Sequence, residues 1–292
     1  MVFRTDLALE QTQHLGSDLP PGVTLDEQTQ EDVKIYTIEI KTPDAARKMG
    51  KPMGRYITVD GRPFETTVED DEAQVKAAAE ALRKLLPENG LMLVVGLGNE
   101  HITPDALGPR VVDHIITTRH IEKSVAQSVG LEGMRPVAAI APGVLAQTGI
   151  EAAEIARWVA DQTKPAVVVA VDALAASESD RLGRTIQMSD AGIVPGSGVQ
   201  GSRKALSVET LKMPVISMGV PTVVDASVFV YSFLEQKGTA PPKGQKEQSA
   251  PLMVTPHQID LIIQRSAKII ALAINIAAQS ALSPEDVRYL MS

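Results

Sequence analysis

The 292-residue chain contains no cysteine. That excludes disulfides, Cys-ligated zinc or iron–sulfur clusters and thiol nucleophiles. Aromatic residues make up only 3% of the sequence, so its 44% hydrophobic content must build a core from Ala, Val, Ile, Leu and Met. Positive charge is also scarce. The formal net charge of −8 argues against non-specific binding to nucleic acid. Residues 1–10 hold no apolar segment long enough for a signal peptide. The most apolar late stretch, 259–281, carries Asp260, Arg265 and Lys268, so a docked amphipathic helix, started by Thr255-Pro256 with the proline in its first turn, is expected there rather than a membrane span. A soluble, intracellular protein without internal repeats is the expectation.

Several chemistries lack their signatures. There is no G-x-S-x-G elbow for a serine hydrolase. The five histidines, at 14, 101, 114, 120 and 257, show no H-E-x-x-H or other metal-ligand spacing, so no metal and no cofactor is expected. Gly96-Leu-Gly98 begins like a dinucleotide fingerprint, but His101 stands where the third glycine belongs and Pro104 interrupts the helix start. Gly192 to Lys204 looks like a phosphate cradle, yet no Lys-Ser or Lys-Thr follows Gly201. In this loop Gly196, Ser197 and Gly198 are candidates to offer backbone amides to an extended peptide, and Arg203 to meet an acidic substrate residue. A plain surface loop is an equally good reading.

The sequence is organised around Leu91-Met-Leu-Val-Val-Gly-Leu-Gly-Asn99. Its five unbroken apolar residues predict a strand buried on both faces, as in a parallel sheet covered by helices. Ala166–Val171 is a second such run, ended by Asp172, and strand signals recur at 137–141, 185–189 and 214–219. Alternation with helical spacing predicts an α/β fold with a mostly parallel, doubly wound sheet over 91–292. Residues 33–40 and 55–60 alternate apolar and polar, which predicts a small antiparallel β subdomain near the N-terminus. Residues 1–32 read as a polar, extended arm, 70–86 as a helix, and 236–251 as a mobile loop.

Two carboxylates stand out. Asp105 follows the first apolar strand, and Asp172 ends the second. In open α/β sheets ligands bind at the carboxyl ends of the strands, so the two are placed to converge. Close carboxylates resist ionising together, which lets one deprotonate a water while the other polarises a scissile carbonyl. The competing reading gives them only a helix cap and loop amides to bind.

The segment Val94-Val-Gly-Leu-Gly-Asn-x4-Pro-Asp-Ala-Leu-Gly-Pro109 resembles the core motif of the germination proteases of spore-forming Firmicutes. Residues 169–176, 189–198 and 219–226 are similar to further blocks of that family, as are Arg4-Thr-Asp-Leu-Ala8 and Leu252-Met-Val-Thr-Pro256. The resemblance implies a fold like that of hydrogenase maturation proteases. It implies an atypical aspartic-type endopeptidase of the forespore and spore core that degrades small acid-soluble spore proteins. It also implies a homotetrameric zymogen that removes its own propeptide. Asp105 and Asp172 match the family's proposed catalytic aspartates. Cleavage between Asp6 and Leu7 would divide the chain into a propeptide (1–6), an arm with subdomain and helix (7–90) and a catalytic core (91–292). Val194 replaces a histidine found in some members, which disfavours a mechanism needing that imidazole. The rivals are a metal-dependent processing protease of the hydrogenase-maturation type and a non-enzymatic peptide- or nucleotide-binding module.

Overall fold

A computed structural model describes residues 5–16, 18–66, 72–128, 132–194, 204–229 and 252–291. The loop expected at 236–251 and the candidates Gly196, Ser197, Gly198 and Arg203 lie outside the described residues.

The chain begins with helix α1 (Ala8–Leu15), the hairpin β1 (Val23–Gln30) and β2 (Val33–Ile40), α2 (Pro43–Met49), β3 (Gly54–Asp60) and α3 (Glu72–Arg83). There follow β4 (Met92–Gly96), a 3-10 turn at Thr103–Asp105, α4 (Leu107–Val112), α5 (Lys123–Ser128), β5 (Val137–Ile140), α6 (Leu145–Thr148) and α7 (Ala152–Thr163). The remainder comprises β6 (Val167–Ala176), β7 (Thr185–Ser189), α8 (Val208–Leu211), β8 (Val215–Asp225), β9 (Met253–Val254), α9 (Ile259–Ala278) and α10 (Pro284–Met291).

Among the described residues the strands form one nine-stranded mixed sheet in the order β1-β2-β3-β7-β8-β6-β4-β5, with β9 paired to β8. Strands β5, β4, β6 and β8 are parallel. Beyond β8 every pairing is antiparallel, so the N-terminal strands are joined to the parallel half through β3 and β7. The α/β class and the antiparallel N-terminal strands therefore match the expectation.

Two apolar layers cover the sheet. One face packs Val94, Val169, Val171, Ile186 and Met218 against α3, α4 and α9. The other packs Leu93, Val95, Val168 and Ala170 against Ala153, Ala156 and Ala160 of α7. This alternation along β4 and β6 is the two-faced burial that their apolar runs predicted. Helix α9 is long and apolar enough to cross a membrane, but 78% of its most apolar window is buried inside the fold. Its alanines share a core with those of α3, where small side chains let helices approach closely.

Three expectations need correction. Residues 1–32 are not an extended arm where described: Leu7, Ala8 and Leu9 are fully buried, and β1 pairs with β2 over eight residues. β1 is almost wholly polar and exposed, an edge strand recognisable only from its partner. Asp172 does not end its strand, because β6 runs on to Ala176. The last long helix starts at Ile259, with Pro256 supplying a carbonyl to its first amide rather than occupying its first turn.

Asn275 is a buried polar residue in α9. Its Oδ1 accepts from Ile116 N at 3.0 Å and its Nδ2 donates to His114 O at 3.0 Å, fixing the chain that leaves α4. Asn275→Leu keeps the volume but leaves both backbone groups without that partner. We expect it to cost about 1–3 kcal/mol in urea unfolding, and wild-type stability would contradict this role.

Candidate active site

The site is built where β4 stops and β6 continues. The last β4–β6 pair is Gly96–Val171, closed by Leu97 N donating to Val171 O at 2.7 Å. Beyond it, the β6 backbone finds other partners. Asp172 is buried, and its Oδ1 accepts from Ala173 N at 2.9 Å. Ala175 O accepts from Asp6 N, and Ala175 N donates to Asp6 Oδ2, both at 2.8 Å. Next to this contact β8 carries an irregularity, with Leu174 opposite Pro221 but Ala175 opposite Val223. Such bulges re-aim backbone groups near functional sites.

Asp105 comes from the turn after β4. Its Oδ2 accepts from Asn99 N at 2.9 Å, and Thr222 Oγ1 of β8 donates to the neighbouring Pro104 O at 2.7 Å. Gly98 has φ +113°, and a Cβ there would stand 2.0 Å from Asp105 O. Only glycine permits this close return of the chain. Asp105 and Asp172 thus lie at the same end of neighbouring parallel strands. His101, earlier in the connection after β4, is exposed, 3.5 Å from Glu100. Among the described residues no group of three His, Asp or Glu is arranged to hold a metal ion.

The segment carrying Asp6 and Leu7 lies across this end of the sheet instead of in solvent. Leu7 packs against Leu174 and Ala176 of β6, with Leu182 and Ile193. Gln187 of β7 holds the backbone on both sides of the Asp6–Leu7 peptide: its Nε2 donates to Asp6 O at 2.7 Å and its Oε1 accepts from Ala8 N at 2.8 Å. Lys51 Nζ donates to Thr5 O at 2.7 Å, and Leu7 N donates to Thr5 Oγ1 at 3.0 Å. Thr5 Oγ1 in turn bonds the fully buried Glu10, which also accepts from Ser177 N and Oγ at 2.8 Å and from Glu178 N at 3.1 Å. The Asp6 carboxylate is met by the Ala175 amide, a backbone donor that the reading of the sequence did not anticipate.

A groove of about 690 Å³ is lined by Thr5 and Asp6 together with Tyr56, Ser189, Ser217 and Gly219. Burial, reinforced by the Asp190 charge and opposed by a hydrogen bond with Ser189, pushes the Tyr56 phenol well above its ordinary value. The neutral hydroxyl donates to Pro52 O at 2.8 Å. Gly219 separates Asp172 and Gln187 in one transverse row of the sheet, since it pairs with both. Paired residues of a ladder present their side chains on one face. A Cβ at Gly219 would come within 2.3 Å of Asp172 O and 2.8 Å of the Leu174 side chain.

Gln187, Glu10 and Ala175 were missed in the sequence. Nothing local marks Gln187: Thr185-Ile-Gln-Met-Ser189 alternates as a half-exposed strand does, and only the fold buries it throughout.

A family model described as Germination protease matches residues 4–235. The chain is 38% identical over 322 aligned residues to the germination protease of Clostridium perfringens, covering 99% of each chain. It is 39% identical over 319 residues to that of Caldanaerobacter subterraneus subsp. tengcongensis, covering 99% of this chain and 98% of the relative. Against that of Priestia megaterium it is 43% identical over 237 residues, which cover 76% of this chain and 64% of the relative. Among solved structures, the NiFe hydrogenase maturation protease HycI from Thermococcus kodakarensis KOD1 matches weakly, at 16% identity and TM-score 0.37 over 66% of this chain and 98% of that one. The near full-length identity to the curated relatives is decisive: the chain belongs to the germination protease family and is an endopeptidase, a hydrolase acting in germination.

Proposed function

We propose that this endopeptidase uses Asp105 and Asp172 to activate water, cuts its own chain between Asp6 and Leu7, and then degrades small acid-soluble spore proteins in the spore core. The observation that carries the reading is the seating of residues 5–8 at the carboxyl end of β4 and β6, with the Asp6 carboxylate on the Ala175 amide. A peptide bond held there is in the place where a substrate of an α/β sheet belongs. One aspartate takes a proton from water as the oxygen attacks the Asp6 carbonyl carbon. The other, protonated, supports the carbonyl and returns a proton to the departing Leu7 nitrogen. The described donor set, with no cysteine and no three-residue His, Asp or Glu cluster, favours this over the metal-dependent reading.

Seating Asp6 adds a third carboxylate to a site whose hydrolytic step needs one aspartate of the pair protonated. Carboxylates take up protons only as the pH falls, so repulsion weakens in mild acid and processing speeds up. Full-length protein incubated at mildly acidic and neutral pH should yield a new Leu7 terminus, sooner in acid. Asp105→Asn and Asp172→Asn should fold normally, by circular dichroism, and slow this cut by orders of magnitude. A terminus elsewhere, or one produced equally by either variant, would refute the reading.

The same reading includes a homotetramer. The apolar sequence from 220 to 234 and the N-terminal subdomain are the two possible contact surfaces; in the former, Val220 is buried within the subunit core and Phe229 is 44% exposed. Light scattering at micromolar concentration should report four chains; a monomer would remove this part.

A further inference from the structure

We infer that Gln187 is a catalytic residue of the hydrolytic step: its side-chain amide is an oxyanion donor for the carbonyl of the bond to be cut. The inference rests on the reading that the Asp6–Leu7 peptide is the chain's own substrate. Gln187 Nε2 lies 2.7 Å from Asp6 O, the carbonyl oxygen of that peptide, and Oε1 holds Ala8 N at 2.8 Å. One planar amide thereby grips the backbone on both sides of a single bond, which fixes its orientation more tightly than one contact would. The gripping amide sits on β7, in the transverse row Asp172–Gly219–Gln187. At ordinary strand spacing two ladder steps put the outer Cα atoms about 10 Å apart. Gly219 has no side chain to fill the gap between them.

The step balances without a co-reactant. Water oxygen bonds to the Asp6 carbonyl carbon while an aspartate takes its proton. The carbonyl π electrons move onto Asp6 O, where the Gln187 Nε2–H is already in place to meet the negative charge. Collapse breaks the carbon–nitrogen bond, and Leu7 nitrogen leaves with the returned proton. A donor at this distance from the oxygen that becomes charged is the arrangement that lowers such barriers, and losing one donor typically costs about 10²–10³ in rate. The Gln187 amide reads only backbone atoms of residues 6 and 8, so the same grip applies to any extended substrate chain seated there.

Gln187→Glu separates the two contacts. Its carboxylate still accepts from Ala8 N but offers nothing to Asp6 O until it takes up a proton. Gln187→Met removes both contacts at similar volume. The processing rate constant of full-length protein is read by intact mass from neutral to mildly acidic pH, each variant as a ratio to wild type at the same pH, with hydrogen exchange at Ala8 alongside. We expect Gln187→Glu to lose about 10²–10³ in rate at neutral pH with Ala8 still protected, and its ratio to climb towards one in acid. Gln187→Met should stay slow at every pH. Wild-type processing by Gln187→Glu at neutral pH overturns the assignment. So does a deficit that is independent of pH and follows the loss of Ala8 protection, which marks a structural clamp. Wild-type protein that never yields a Leu7 terminus overturns the cut-site reading itself, and this inference with it.

Discussion

The site depends on a mismatch of strand lengths. β4 makes its last pair at Gly96, whereas β6 continues to Ala176. Backbone amides and carbonyls buried without partners are costly, so the extra residues of β6 must be satisfied by something else. Asp172 satisfies Ala173 with its own carboxylate, and the N-terminal segment satisfies Ala175 through Asp6. The unmatched end of one strand thus holds both a proposed catalytic group and the peptide proposed to be cut. The seating on β6 uses one backbone bond and one bond to the Asp6 carboxylate, with the side-chain packing of Leu7 beside them.

The seating is reinforced from several directions. Leu7 is buried among Leu174, Ala176, Leu182 and Ile193, and the buried Glu10 ties Thr5 to Ser177 and Glu178. The Glu10 carboxyl group is bonded to Thr5, Ser177 and Glu178 at once, so it anchors residues 5–10. The opposite face of the sheet is covered by close helix packing. Aliphatic α9 and alanine-rich α3 pack under Val94, Val171 and Met218, and Asn275 locks the chain after α4. A rigid sheet with a docked peptide on one side suits an enzyme that must hold a bond still while water reaches it.

How much of this the sequence carries varies by element. Strands β4 and β6 were legible because continuous aliphatic runs have few other uses, and Asp105 and Asp172 were legible because they border those runs. β1 was not, since a polar edge strand owes its shape to the partner it pairs with and not to its own pattern. Nor was the docking of residues 5–9. A Thr-Asp-Leu-Ala segment reads as a polar terminus until Leu174, far along the chain, is brought beneath Leu7. Gln187 and Glu10 act through contacts 167 to 181 residues distant, a separation at which local pattern says nothing.

The central claim is that each chain seats its own Asp6–Leu7 bond at its own aspartate pair. Mass-tagged Asp172→Asn protein mixed with wild type and incubated in mild acid tests this directly. The wild-type chains should lose residues 1–6 while the tagged variant keeps them, because its segment stays seated on its own β6, away from the active neighbours. Loss of residues 1–6 from the tagged variant at the wild-type rate would contradict the account.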